Sequence, residues 1–143
     1  MAIIVVGALV VLATRKDETV GLKRRIRIDD FSFQVDKVYE IRSATGTDLV
    51  AELTVNNEAK RVDFDFDPSL IVLVDENGKS TKGRASAGQT GALHLIAAQS
   101  GKTTLEFPLP KRAGHAYLQW AFGGEVGRSA DRILFGDKRV QVK

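Results

Sequence analysis

Three carboxylates in VDFDFDP, Asp63, Asp65 and Asp67, alternate with Phe64 and Phe66. In a β-strand, alternate residues project from one face about 7 Å apart, so this spacing could offer oxygen ligands to calcium. The calcium-binding hand needs a glycine to turn the loop and an acid to close it. Counted from Asp63, those positions hold Pro68 and Val74. The expectation is therefore a solvated edge strand, in which Pro68 and the negative charge discourage pairing with another chain.

His94 and His115 are the only histidines, and both lie in apolar strand contexts. A copper or zinc site would need further ligands from Cys, Met or a converging carboxylate. The chain has no cysteine and one methionine, Met1. Ser100, His115 and Asp131 supply the residue types of a hydrolytic triad, but no nucleophile-elbow motif surrounds Ser100. Gly123, Gly124 and Gly127 with Arg128 and Ser129 suggest a phosphate cradle. The Lys-Ser/Thr closure and the strand-to-helix setting of such a cradle are both missing, which leaves a glycine-rich connection. The sequence thus predicts no catalytic residue, metal or cofactor, and a protein that is not an enzyme.

The elements that would position these residues read as short strands. With 43% hydrophobic and 27% charged residues, the 143-residue chain has the balance of one folded domain rather than a disordered segment. Absence of cysteine excludes disulfide stapling and thiolate chemistry, so apolar burial must hold the core. The net charge of +3 is unevenly spread: residues 1–28 carry six Lys or Arg against two Asp or Glu, and the remainder carries fifteen against sixteen. A basic groove across the domain is not expected, and nucleic acid is not a predicted partner.

Residues 2–13 (AIIVVGALVVLA) form an unbroken apolar run closed by Thr14, Arg15 and Lys16. A regular membrane-crossing helix needs about 20 apolar residues, so the run is too short to be one. Three readings fit: the apolar part of a signal peptide, part of a membrane anchor, or a buried β-strand. As an anchor, it would put Ile3, Ile4, Val5, Val6, Leu9, Val10, Val11 and Leu12 in lipid, with Arg15 and Lys16 at the headgroups. The corresponding division is 1–19 for the apolar segment and its basic linker, and 20–143 for the domain.

In LKRRIRI, Leu22, Arg24, Ile26 and Ile28 alternate with a basic face of Lys23, Arg25 and Arg27. Residues 31–42 place Phe31, Phe33 and Val35 on one side, and Val38 with Tyr39 indicate a bulge. Residues 48–56 turn Leu49, Ala51, Leu53 and Val55 inward, and Asn56 and Asn57 then supply a turn. LIVLV at 70–74 reads as a central strand ended by the turn Asp75, Glu76, Asn77, Gly78. Residues 79–91 are the expected long loop. Further strands are expected at 93–97, 103–109, 115–122, 131–135 and 139–142, with Trp120, near Tyr117 and Phe122, in core packing. Short strands at this spacing predict an all-β fold, an antiparallel sandwich.

Three stretches, DDFSFQVDKV, DLVAELTVNNEAKRVDFDFDPSLIVLVDENGKS and AYLQWAFGGEVGRSADRILFGDKRVQV, resemble a bacterial immunoglobulin-like family of unknown function found mostly in secreted or membrane-anchored proteins. The resemblance spans about residues 28–142 and implies an immunoglobulin-like sandwich and export, with no catalytic residues to carry over. The chain lacks the family's basic leader and lipobox cysteine. The function expected is a non-catalytic interaction or accessory module held at a membrane by its N-terminal segment, as a small subunit of a larger complex with a protein partner. A secreted ligand-binding module, or a filament subunit joined through its apolar N-terminus, are the alternatives.

Overall fold

The computed structural model describes residues 17–86, 88–111, 114–121 and 136–143. Two five-stranded sheets and a two-stranded ribbon contain every described strand. The first sheet has the order β1 (Glu18–Val20), β12 (Lys138–Gln141), β11 (Ala116–Trp120), β6 (Ile71–Asp75), β7 (Ser80–Lys82). The second runs β2 (Ile26–Ile28), β3 (Phe31–Ser43), β4 (Gly46–Asn57), β10 (Ser100–Leu109), β8 (Arg84–Ala85). The ribbon pairs β5 (Phe64–Phe66) with β9 (Leu93–Leu95). All pairs are antiparallel except β1 with β12, which run in the same direction. This is an all-β, immunoglobulin-like antiparallel sandwich.

Alternation in sequence becomes alternation in burial. Leu49, Ala51, Leu53 and Val55 on β4, and Phe33 and Val35 on β3, are all at most 2% exposed. They face Ile71, Leu73, Leu118, Trp120 and Val140 of the other sheet in one apolar cluster. Each fully buried Leu, Ile or Phe contributes about 1.5–3 kcal/mol relative to exposure, and the cluster supplies the stability that cysteines do not. Trp120 ends in an aromatic group, its ring 4.5 Å from Phe31 and 6.3 Å from Phe33, with Phe64 stacked on Phe31 at 4.7 Å. Tyr117 points the other way, against the Arg139 guanidinium at 4.4 Å.

The bulge in β3, expected at Val38 and Tyr39, lies earlier, between Val35 and Lys37. Asp36 occupies it and accepts hydrogen bonds from Gln34 Nε2 at 2.7 Å and Thr54 Oγ1 at 2.6 Å, which fix the extra residue in place. The turn after β6 forms as read: Gly78 adopts φ +81°, and the Asp75 carboxylate accepts from the backbone of Asn77 and Lys79 at 2.9 Å.

Several strand boundaries differ from the sequence expectation. The alternation in LKRRIRI begins only at Ile26, because residues 22 and 23 turn, Lys23 with φ +64°, and leave Leu22 41% exposed. Leu70 belongs to a short 3-10 turn, Pro68–Leu70, and β6 lies fourth of five in its sheet. Asn56 and Asn57 do not turn; they are the buried end of β4. Residues 79–91 are not one loop. They hold β7 in the first sheet and β8 in the second, so the chain changes sheets between Lys82 and Arg84. Gly83 permits the step: a Cβ there would lie 2.6 Å from the ring of buried Phe107.

Candidate functional site

The ribbon β5–β9 brings together the two residue types that the sequence kept apart. Its inner face is Phe64, Phe66, Leu93 and Leu95, of which Phe66 and Leu95 are buried. Its outer face carries Asp65 directly opposite His94. Asp65 Oδ1 lies 2.5 Å from His94 Nδ1, and Asp63 Oδ2, one residue before the strand, lies 3.3 Å from His94 Nε2. A neutral imidazole has one N–H and would turn a lone pair toward one of these carboxylates. The imidazolium donates to both. Hydrogen bonding to Asp65, then its charge and that of Asp63, raises the His94 pKa above its ordinary 6.5.

The third carboxylate of the run is used elsewhere. Asp67 caps the 3-10 turn by accepting from the Ser69 backbone N–H at 2.8 Å, and the bonds from Ser69 lower its pKa. Asp63 and Asp65 approach opposite nitrogens of one ring, so they cannot join a single imidazole nitrogen around one ion. Among the described residues no cluster of three or more His, Cys, Asp or Glu is arranged to hold a metal.

Behind the ribbon lies a polar hub that the sequence reading missed. Asn57 Nδ2 donates to the carbonyls of Val62, Leu95 and Ile96 at 2.8, 3.1 and 3.2 Å, while its Oδ1 accepts from Ala59 N–H at 3.1 Å. Asn56 Nδ2 donates to Ser32 Oγ, and its Oδ1 accepts from Ser100 Oγ at 2.5 Å. Ser32, Asn56, Asn57 and Thr103 are the buried polar residues among those described, and each has its partner within the fold, Thr103 through the Gly91 carbonyl. The only sequence signal was a pair of asparagines ending an alternating strand. That pattern reads equally well as a turn.

The other candidates are dispersed. Ser100 is committed to Asn56, and His115 is exposed just before β11. Asp131, Phe122, residues 131–135 and the glycine-rich Gly123, Gly124, Gly127, Arg128 and Ser129 lie outside the described residues. So do all of the expected membrane contacts from Ile3 to Lys16. The basic face at 23–27 is partly neutralised, since Arg25 and Arg27 both reach Glu58, at 3.1 and 3.2 Å.

At the far end of the second sheet, beyond the β3–β4 turn, a cleft of about 660 Å³ is lined by Glu40, Arg42, Asp48, Arg84, Lys111 and Lys143 among others. Arg84 bridges Asp48 and Glu106, and Lys143 holds Glu40 at 3.1 Å. Two of the four cations are therefore engaged in tying strands together. No helix among the described residues is long and apolar enough to cross a membrane.

No family model matches the chain, and no curated protein matches it. Solved structures do. MPT63, a secreted protein from Mycobacterium tuberculosis, is 12% identical with a TM-score of 0.63, over 90% of this chain and 100% of that one. An uncharacterised β-sandwich protein from Clostridium difficile is 11% identical with a TM-score of 0.55, over 90% and 96%. A putative lipoprotein, ycdA of Bacillus subtilis, is 12% identical with a TM-score of 0.60, over 83% of this chain and 38% of that one. At these identities the likeness establishes the sandwich fold.

Proposed function

We propose that this protein is a non-catalytic, extracytoplasmic interaction or accessory module, held at a membrane by its N-terminal segment and serving a protein partner as a small subunit of a larger complex. The observation that carries the reading is the spacing between the apolar run and the fold. Residues 2–13 are wholly apolar, and β1 starts at Glu18. The four residues between them reach at most about 14 Å, so the run would hold the β1–β12 edge close to the bilayer. Arg15 and Lys16 fall within that gap, where anionic headgroups attract them.

Two further observations support it. The buried polar residues that a site would draw on are consumed in holding strands together. Two proteins of like fold are described as secreted or as a putative lipoprotein, in keeping with export and with the immunoglobulin-like family that the sequence resembles.

Fractionation tests the proposal. The full chain should sediment with membranes and require detergent, while a chain beginning at Asp17 should stay in the high-speed supernatant. Protease added outside intact cells should degrade the domain. Full-length protein found in the supernatant would remove the anchor, and protection from external protease would remove the orientation.

A further inference from the structure

Among the described residues, the second sheet has one long edge without a strand partner. Of the thirteen residues of β3, only Phe31–Phe33 pair with β2, and beyond the bulge the outer edge from Lys37 to Ser43 has no strand partner among the described residues. Tyr39 and Ile41 stand 42% and 43% exposed along it. Unpaired N–H and C=O groups flanked by apolar side chains are a template for another strand.

The charges select which strand. In an antiparallel pair of identical strands the two-fold axis is perpendicular to the sheet, and opposed residues must point to the same face. The axis therefore passes through a residue. Centred on Glu40 it sets Glu40 against Glu40, and centred on Arg42 it sets Arg42 against Arg42; like charges directly opposite are destabilising. Of the registers within 37–43, only the one centred on Ile41 opposes unlike charges: it places Glu40 of each copy opposite Arg42 of the other, Tyr39 opposite Ser43, and Ile41 against Ile41.

We infer that the free half of β3 is a homodimerisation edge, on which two copies of this chain pair antiparallel about Ile41 to make one sheet continuous across both. Five paired residues a side, 39–43, fall well short of the about 20–30 a side of stable complexes, so the pair is reversible, and tethering on one membrane would favour it by raising local concentration.

Because the chain has no cysteine, a single introduced one reports the geometry directly. Opposed residues in an antiparallel pair have Cα atoms about 4.5–5.5 Å apart, within the span of a disulfide. Full-length Ile41→Cys, oxidised in its membranes, should give a covalent dimer in several-fold higher yield than Ile96→Cys, a control 55% exposed. Adding Glu40→Arg or Arg42→Glu to Ile41→Cys should each abolish the dimer. Mixing the two charge-reversed chains, carrying tags of different size, should restore it as the mixed species only. Equal cross-linking at Ile41 and Ile96, insensitivity to either reversal, or no preference for the mixed species would each overturn the inference.

Discussion

His94 is the residue whose environment most changes its chemistry. Two carboxylates on opposite ring nitrogens favour the imidazolium, so its folded pKa is raised above 6.5. A raised histidine value means that the folded state binds the proton more tightly. The clasp's contribution is then complete below about 6.5, and is lost as pH rises through the folded value. Proton NMR should show the His94 ring titrating above 6.5, and Asp65→Asn should bring it down. Since the ring is exposed, the effect on global stability is small; amide exchange in β5 and β9 should nonetheless quicken as pH rises through the folded value, and His94→Gln should abolish that dependence. Asn57 is the opposite case, a neutral side chain on which stability hangs. Asn57→Ala strands three buried or half-buried carbonyls and the Ala59 N–H, and should cost about 2–4 kcal/mol in urea unfolding. Neither role was legible in the sequence, because each depends on groups about 30 to 40 positions away that only sheet pairing brings near.

At the scale of the element, the edges of strands decide more than their centres. The alternation of β3, β4, β10 and β11 was readable because one face of each is buried and a slip of one residue would expose it. The short strands β7 and β8 were not, since Ser, Thr, Gly and Ala carry little alternation and pair only where the chain crosses between sheets. Gly83 makes that crossing against Phe107. Gly83→Ala should force the ring or the backbone to shift, with a loss of about 1–3 kcal/mol. A lowered urea midpoint with unchanged slope would be the signature, and a midpoint equal to that of the parent protein would show that the crossing has room to spare.

For the whole molecule, the parallel pairing of β1 with β12 joins the two ends of the fold. Asp137 N–H donates to Asp17 Oδ1 at 2.8 Å, and Glu18 N–H donates to the Asp137 carbonyl at 2.9 Å. A chain beginning at Gly21 loses this strand and should unfold at lower urea than one beginning at Asp17, by about 1–3 kcal/mol given the lost β1–β12 pairing and the partial burial of Val20. The membrane attachment proposed above would enter the domain through an edge strand that contributes to its stability. By itself the sequence determined the all-β class, the inward faces of β4 and of β3 as far as Val35, and the core position of Trp120, because period-two alternation is a local property that a half-buried sheet enforces on its own strand. Only the tertiary structure decided that Asp65 meets His94, that Asn57 collects three carbonyls and that half of β3 has no strand partner among the described residues. Those facts follow from which strands become neighbours, a choice made by burial summed over the whole core and written in no single segment.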